Sequence, residues 1–283
     1  MAGTWLQEAG RRVSERLGRE GPLVRLLRPA YERALDVATL GRGYLRVVNG
    51  RERCYVRPSA RGLFPEVYEP EACDYLRSRV RPGSVCLNVG AHVGIYALCL
   101  AEWSKPDGMV AAFEPNPATR AVLADHVRRN GLGGRVVVEA LAVGGRIGTA
   151  DLAAAPLSGT ARLGVPNPES DLVHERVPVE VCTLDAYCGA RALEPDWIVM
   201  DIEGCEVEAL AGARGVLASG RGRLGLVVEL HPHLWCLAGT GRGELERLLG
   251  EAGLEARALT GQRDPLQEPG VVALEWVRPP ARA

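Results

Sequence analysis

Lysine is almost absent from this 283-residue sequence. Lys105 stands alone against 33 arginines, and phenylalanine occurs twice. AT-rich codons specify lysine, asparagine and phenylalanine, so the bias is that of a GC-rich bacterial genome. The arginines therefore do not by themselves argue for an anion-binding surface. Neither sign of charge dominates: the formal net charge is −1, which removes any global electrostatic case for nucleic acid. No apolar run approaches the ~18 residues that a membrane-crossing helix needs. The opening stretch MAGTWLQEAGRRVSERLG has no apolar core or cleavage site of a secretion signal, so a cytoplasmic, reduced protein is expected. The cysteines at 54, 73, 86, 99, 182, 188, 205 and 236 include no CxxC pair. That spacing supports neither a zinc site nor a disulfide framework, and several of them sit in apolar runs as small hydrophobes.

What is present reads as an ordinary globular α/β chain with an N-terminal addition. The expected division is residues 1–66, a helical and hairpin extension, and residues 67–283, the main domain. Residues 1 to about 40 suggest two helices broken near Gly21-Pro22, with apolar stripes Leu6, Val13, Leu17 and then Leu23, Leu26, Leu27, Tyr31, Leu35. Their arginine excess reads as a solvated face in preference to a lipid or glycan contact. GYLRVVNGRERCYVRP predicts a hairpin around Asn49-Gly50 with a two-residue type I′ turn. A helix is expected over 69–79. From Ser84 strand and helix patterns alternate, with strands at 85–89, 109–113, 135–138, 196–200, 223–230, 254–259 and 271–276. Helices are expected at 93–103, 117–130, 205–218 and 241–252. Such alternation predicts a mostly parallel sheet covered on both faces. The interval 144–183, around PLSGTARLGVPNPES, interrupts the alternation and reads as a long functional or disordered excursion.

Three stretches carry chemistry. In SVCLNVGAHVGIYALCLAEW a buried strand passes through Gly90 and Gly94 into a helix, the layout that holds nucleotide-like ligands at strand carboxyl ends. Glu114 ends the next strand, where an acid can accept both hydroxyls of a ribose. GAHVG is neither GxGxxG nor a P-loop, and the segment offers no phosphate-gripping side chain. S-adenosylmethionine, an adenosine bearing a sulfonium and no phosphate, fits better than NAD. In DWIVMDIEGCEVEALAGA, Asp201, Glu203 and Glu206 cluster at a strand's carboxyl end, where acids are costly unless they meet a cation, a hydroxyl or a proton. Helix capping by acids suffices for Glu206. GLVVELHPHLW ends a strand at Glu229, His231 and His233. His231 is either a structural histidine or a base for a hydroxyl, and Asp201 with Glu229 or His231 suggests a Mg²⁺ site as a lesser reading.

These segments, in this order, resemble the FkbM family of S-adenosylmethionine-dependent methyltransferases from about Glu69 to Leu234. LNVGAHVGIYAL, FEPNP with NGL at 130–132, VCTLDAY at 181–187 and MDIEGCEVEALAGA carry the resemblance. It implies the class I methyltransferase, Rossmann-like sandwich: a mostly parallel seven-stranded sheet whose last strand, 271–276, inserts antiparallel. It implies O-methylation of a hydroxyl on a sugar, glycan or natural product. It also implies cofactor-loop positions at Gly90, His92, Gly94 and Glu114, a position near the cofactor at Glu69, and an acidic active-site motif at Asp201 and Glu203. Asn88 and Asn116 complete the expected cofactor set, and His231 joins Asp201 and Glu203 as the expected catalytic group. The family motif usually reads DVGAN. Here Asn88 replaces the acid and His92 the asparagine, which predicts weaker cofactor binding or a shifted pose. A cofactor-binding scaffold without turnover and an NAD-dependent oxidoreductase stand as alternatives, and oligomeric state is left open.

Overall fold

The computed structural model describes residues 2–17 and 21–277. The chain forms two compact units, Met1–Tyr68 with Ala124–Gly133, and Glu69–Leu123 with Gly134–Ala283.

In the first unit, α1 (Ala2–Leu17) and α2 (Pro22–Ala38) precede a hairpin of β1 (Tyr44–Val48) and β2 (Glu52–Val56). Proline opens α2 at its first turn, where a missing N–H costs nothing. The expected stripe on α2 is buried only at its C-terminal end: Leu35 is inside, whereas Leu23, Leu26 and Leu27 are exposed. Tyr31 instead packs over Gly10, where a Cβ would lie 2.5 Å from its ring. The side chains of Arg16 and Leu17, and all of Arg19, lie outside the described residues. Asn49 and Gly50 both take positive φ, and the Arg51 N–H closes the turn on the Val48 carbonyl at 3.0 Å. Val48 pairs with Glu52, so the loop holds three residues and not the expected two.

The second unit opens with α3 (Pro70–Arg77), β3 (Val85–Val89), α4 (Ile95–Trp103), β4 (Met109–Phe113) and α5 (Pro117–Arg129), whose last residues belong to the first unit. Asn130, just beyond α5, donates to the Tyr55 carbonyl (2.7 Å) and accepts from the Tyr55 N–H (2.9 Å), which gives the NGL segment a packing role on the hairpin. Next come β5 (Val136–Glu139), β6 (Leu141–Val143), β7 (Gly148–Ala154), β8 (Arg162–Leu163), β9 (Glu175–Cys182) and α6 (Leu184–Arg191). The chain continues through β10 (Trp197–Met200), α7 (Glu206–Ala211), α8 (Arg214–Ser219), β11 (Gly225–Leu230), α9 (Arg242–Ala252), β12 (Leu254–Ala258) and β13 (Gly270–Trp276).

The main sheet has seven strands in the order β12-β13-β11-β10-β3-β4-β5. β13 pairs antiparallel with both β11 and β12, while the other neighbours are parallel. The last strand therefore inserts antiparallel between β11 and β12, as expected. β3 and β10 are adjacent, and from them the chain winds outward in opposite directions. Their shared carboxyl edge is thus the switch point where open α/β sheets leave a crevice.

Two further expectations are corrected. The excursion is largely a second sheet, β6-β9-β7-β8, whose inner face is Ala142, Leu152, Ala154, Val179 and Val181. Val177, Val179 and Val181 alternate as a half-buried strand should, and Pro178 disguises the pattern. The single helix expected over 205–218 is two, broken at Gly212-Ala213. Gly212 lies so close to Gly144 that a Cβ would stand 2.4 Å from its carbonyl oxygen. Asp185 of VCTLDAY then accepts the Gly215 (2.9 Å) and Val216 (2.8 Å) N–H groups, satisfying the first turn of α8.

Candidate active site

The carboxyl edge shared by β3 and β10 carries two groups of candidate residues. The first grows from β3 and β4. Asn88, the penultimate residue of β3, is buried and its Oδ1 has no hydrogen-bond partner among the described residues. Gly90 follows with φ +79°, and a Cβ there would sit 1.8 Å from the Asp201 carbonyl oxygen. Glycine is thus required where β3 leaves the sheet beside β10. Gly94, φ +100°, allows α4 to start against Leu123, 2.5 Å from where a Cβ would be.

Glu114 leaves β4 buried, and its carboxylate joins two loops: Oε2 accepts the His92 N–H (2.8 Å) and Oε1 the Asn116 N–H (2.9 Å). Each oxygen retains an unused lone pair. Burial pushes its pKa up to about 7, against the pull of those two donors and of Arg120. Arg120 itself donates from Nη1 to the Glu114 and Pro115 carbonyls, so this arginine is committed to the loop backbone. The Asn116 Oδ1 caps α5 through the Ala118 N–H, and its Nδ2 donates to the Ala155 carbonyl. His92, in the left-handed region at φ 48°, brings Nε2 to 3.3 Å from the Leu157 carbonyl, and burial lowers its pKa. The start of the excursion is thereby fastened to the glycine turn. Glu69, ahead of α3, accepts the Tyr96 hydroxyl at 2.5 Å.

The second half grows from β10 and β11, which end side by side and deliver Asp201, Glu203, Glu229 and His231 together. Glu206 is the hidden anchor. It is 0% exposed, yet all its donors are present: Gly204 N–H (2.8 Å) and His231 Nδ1 (2.9 Å) at Oε1, and Trp235 Nε1 (2.8 Å) at Oε2. The sequence pattern alone makes Glu206 a helix-capping acid. It is instead the residue that fixes the His231 ring. With Nδ1 held, Nε2 faces Asp201 Oδ1 (4.0 Å), Glu203 Oε2 (4.0 Å) and Glu229 Oε1 (3.9 Å). Burial alone would lower the His231 pKa, but Glu206, Asp201 and Glu203 outweigh it and raise it to about 10. At neutral pH the ring is therefore an imidazolium. Burial, then the neighbouring Glu229, pushes Asp201 well above the usual carboxylate range; burial and Glu69 raise Glu229 to about 7. Burial also raises Glu203.

Sequence reading missed two residues of the excursion that hold Glu203, itself at φ 50°. Arg162, 1% exposed, donates from Nε to the Glu203 carbonyl (3.0 Å) and from Nη1 to the Val165 carbonyl (2.6 Å). Asn167 donates Nδ2 to Glu203 Oε2 at 3.0 Å. His233 lies apart from the cluster's centre, 3.5 Å from Glu169. The donor set near Asp201 and Glu229 includes an imidazole, which is not the all-oxygen environment expected of Mg²⁺.

A mostly parallel seven-stranded sheet with an antiparallel strand inserted before its edge is the class I methyltransferase fold. The chain matches the methyltransferase FkbM domain model over residues 88–253, and it belongs to that family. A segment of 95 residues is 38% identical to the 31-O-demethyl-FK506 methyltransferase FkbM of Streptomyces tacrolimicus, covering 32% of this chain and 35% of that protein. The match thus spans about a third of the curated relative's length. Among solved structures, the methyltransferase FkbM of Methylobacillus flagellatus is similar with a TM-score of 0.48 and 18% identity, over 70% of this chain and 44% of that one. Aeropyrum pernix fibrillarin, solved with natively bound S-adenosyl-L-methionine, is similar with a TM-score of 0.40 and 12% identity, over 72% of this chain and 73% of that one. No helix among the described residues is long and apolar enough to cross a membrane.

Proposed function

We propose that this protein transfers the methyl group of S-adenosylmethionine to a hydroxyl oxygen of a small-molecule, natural-product or glycan acceptor. The observation that carries the reading is the pairing across the switch point of an adenosine-type half with an acidic half. Asn88 Oδ1 is a buried acceptor lacking a donor among the described residues, which suits the ammonium end of the cofactor. Glu114 retains lone pairs for ribose hydroxyls, and Arg120 is spent on carbonyls, so a pyrophosphate has no grip here. The residues present therefore fit S-adenosylmethionine, with Glu69, Gly90, His92, Gly94 and Asn116 shaping its loops. The Streptomyces relative is named for a 31-O-demethyl substrate, which supports oxygen as the acceptor atom.

When bound, the cofactor supplies an electrophilic methyl on sulfur. The protein's part is alignment, which is worth more than any single acid or base in such displacements. Asp201, whose environment makes it unusually basic for a carboxylate, accepts the acceptor's hydroxyl proton. His231, held as a cation by Glu206, steadies the carboxylates around it and does not itself take the proton. Glu203, fixed by Arg162 and Asn167, orients the acceptor. Calorimetric titration of S-adenosylmethionine and of NAD, followed by a screen of sugar and polyketide hydroxyls for S-adenosylhomocysteine release, tests the reading. Micromolar binding of the first and none of the second is expected. No S-adenosylmethionine binding would overturn it, and binding without turnover on any hydroxyl would favour a scaffold instead.

A further inference from the structure

We propose that Asp201, Glu229 and His231 form a site for a divalent first-row metal ion of the manganese type. One donor atom from each lies within 4.8 Å of the others. Three carboxylates converge on Nε2 of His231 at 3.9–4.0 Å, beyond hydrogen-bond reach. Among the described residues, that imidazole is the sole basic side chain within ion-pair distance of Asp201, Glu203 and Glu229. The acids alone would not make a site. The second observation is the imidazole itself. Its side chain is nine-tenths buried, its Nδ1 is clamped at 2.9 Å by Glu206, and its Nε2 points into the acids with no hydrogen bond among the described residues.

A carboxylate fixing the far nitrogen of a histidine is the outer-shell arrangement that sets ring orientation and tautomer in metal sites. Here the outer carboxylate is itself tied to Gly204 and Trp235, so the Nε2 direction is set before any ion arrives. Mixed imidazole and carboxylate donors suit Mn²⁺ or Fe²⁺ better than Mg²⁺ or Ca²⁺, and no thiolate is present to favour zinc in a closed site. The ion displaces the Nε2 proton to solvent. Asp201 and Glu229 each retain about a third of their side-chain surface, which leaves coordination positions open for water or an acceptor oxygen. With the ion bound, His231 is a neutral ligand and Asp201 a coordinating carboxylate; the cationic His231 and proton-accepting Asp201 described above belong to the ion-free site. Activation of the acceptor hydroxyl by this ion rests on the function proposed above; the binding site does not.

The test is Mn²⁺ titration of the chelator-treated full chain, followed by electron paramagnetic resonance, with S-adenosylmethionine titrated into the same samples. One Mn²⁺ per chain at micromolar concentration is expected, with pulsed-resonance modulation from a directly bound nitrogen. Glu229→Gln and Asp201→Asn should weaken binding by about tenfold or more, and His231→Gln should abolish the nitrogen signal. If the histidine variant does not fold, the wild-type nitrogen signal and the two carboxylate variants decide. No bound Mn²⁺ at millimolar concentration would overturn the site, as would binding without nitrogen coupling or binding indifferent to both carboxylate changes. A protein that binds S-adenosylmethionine but not Mn²⁺ loses only the cation. One that binds Mn²⁺ through nitrogen but not the cofactor keeps the site and loses the methyl-transfer reading.

Discussion

Changing Glu206 to glutamine should show how much of the acidic half depends on a residue that touches no solvent. The substitution keeps the shape and removes the charge. Glu206 accepts three hydrogen bonds, two at Oε1 from Gly204 N–H and His231 Nδ1 and one at Oε2 from Trp235 Nε1. A glutamine has one acceptor atom and one donor group. In its cheaper orientation the amide oxygen keeps the first pair and the NH₂ confronts the Trp235 N–H. One buried donor pair is then unsatisfied, at about 1–3 kcal/mol. The bond to an imidazolium also loses its charge assistance, about 1 kcal/mol more. The reverse orientation strands two donors and is worse. A total of about 2–4 kcal/mol follows, and in a chain of this size each kcal/mol moves Tm by about 2–4 °C.

Differential scanning calorimetry of Glu206→Gln should therefore show Tm lowered by roughly 4–16 °C, with urea unfolding giving a matching loss. Trp235→Phe removes the donor that the amide confronts. The double variant should be less destabilised than the sum of the singles by about 1 kcal/mol, the coupling expected of residues in one buried network. A Tm within 2 °C of wild type, or strict additivity with Trp235→Phe, would refute the anchoring role.

Four other outcomes follow from the same geometry. Gly90→Ala must put a Cβ 1.8 Å from the Asp201 carbonyl at φ +79°, so a loss of about 2–5 kcal/mol and of cofactor binding is expected; native-like melting with intact binding would contradict it. Glu114 titrates near 7 in the fold because it is buried, above the ordinary 4.5, so the stability it lends is full below about 4.5 and is lost as pH rises through about 7. Ribose hydroxyls favour its ionised form. Cofactor affinity should therefore rise with pH up to about 7 and then level off, with proton release measurable by calorimetry in two buffers; a flat profile would sink the assignment. Asn88→Asp restores a charge opposite the cofactor's ammonium and should tighten binding by about tenfold, whereas unchanged or weaker affinity would remove Asn88 from the site. Asp185→Ala strips two N–H partners from α8 and should cost about 1–2 kcal/mol by thermal melting, largely restored by asparagine.

The sheet was legible because its strands are short apolar runs punctuated by glycine, proline and acids. β3 and β4 match their expected limits, and the others shift by one or two residues at an end. The break between α7 and α8 was not legible, because Val207, Leu210, Val216 and Leu217 keep helical spacing across it. Only the contact of Gly212 with Gly144, distant in sequence, reveals the break. The second sheet was hidden for a different reason: Pro178 lies within β9 yet leaves the β7 pairing continuous from Gly148 to Ala154. Proline inside an alternating run ordinarily argues against a strand.

The candidate site divides along the same line. Asp201, Glu229 and His231 announced themselves because acids and histidine at a strand's end are chemically conspicuous. Glu206, Arg162 and Asn167 did not, since an acid in a first helical turn and polar residues in a loop have ordinary explanations. Yet these three decide what the conspicuous residues can do. Glu206 makes His231 a fixed cation, while Arg162 and Asn167 grip the backbone and carboxylate of Glu203. The excursion thus contributes to the acidic half through Glu203 and to the cofactor half through the Leu157 and Ala155 carbonyls. A single insertion that holds both halves can change the distance between them, and methyl transfer along a line is more sensitive to that distance than to the identity of any one base. Variation in residues 155–170 should therefore alter turnover more than cofactor affinity, although none of them is an acid or base at the reacting atoms.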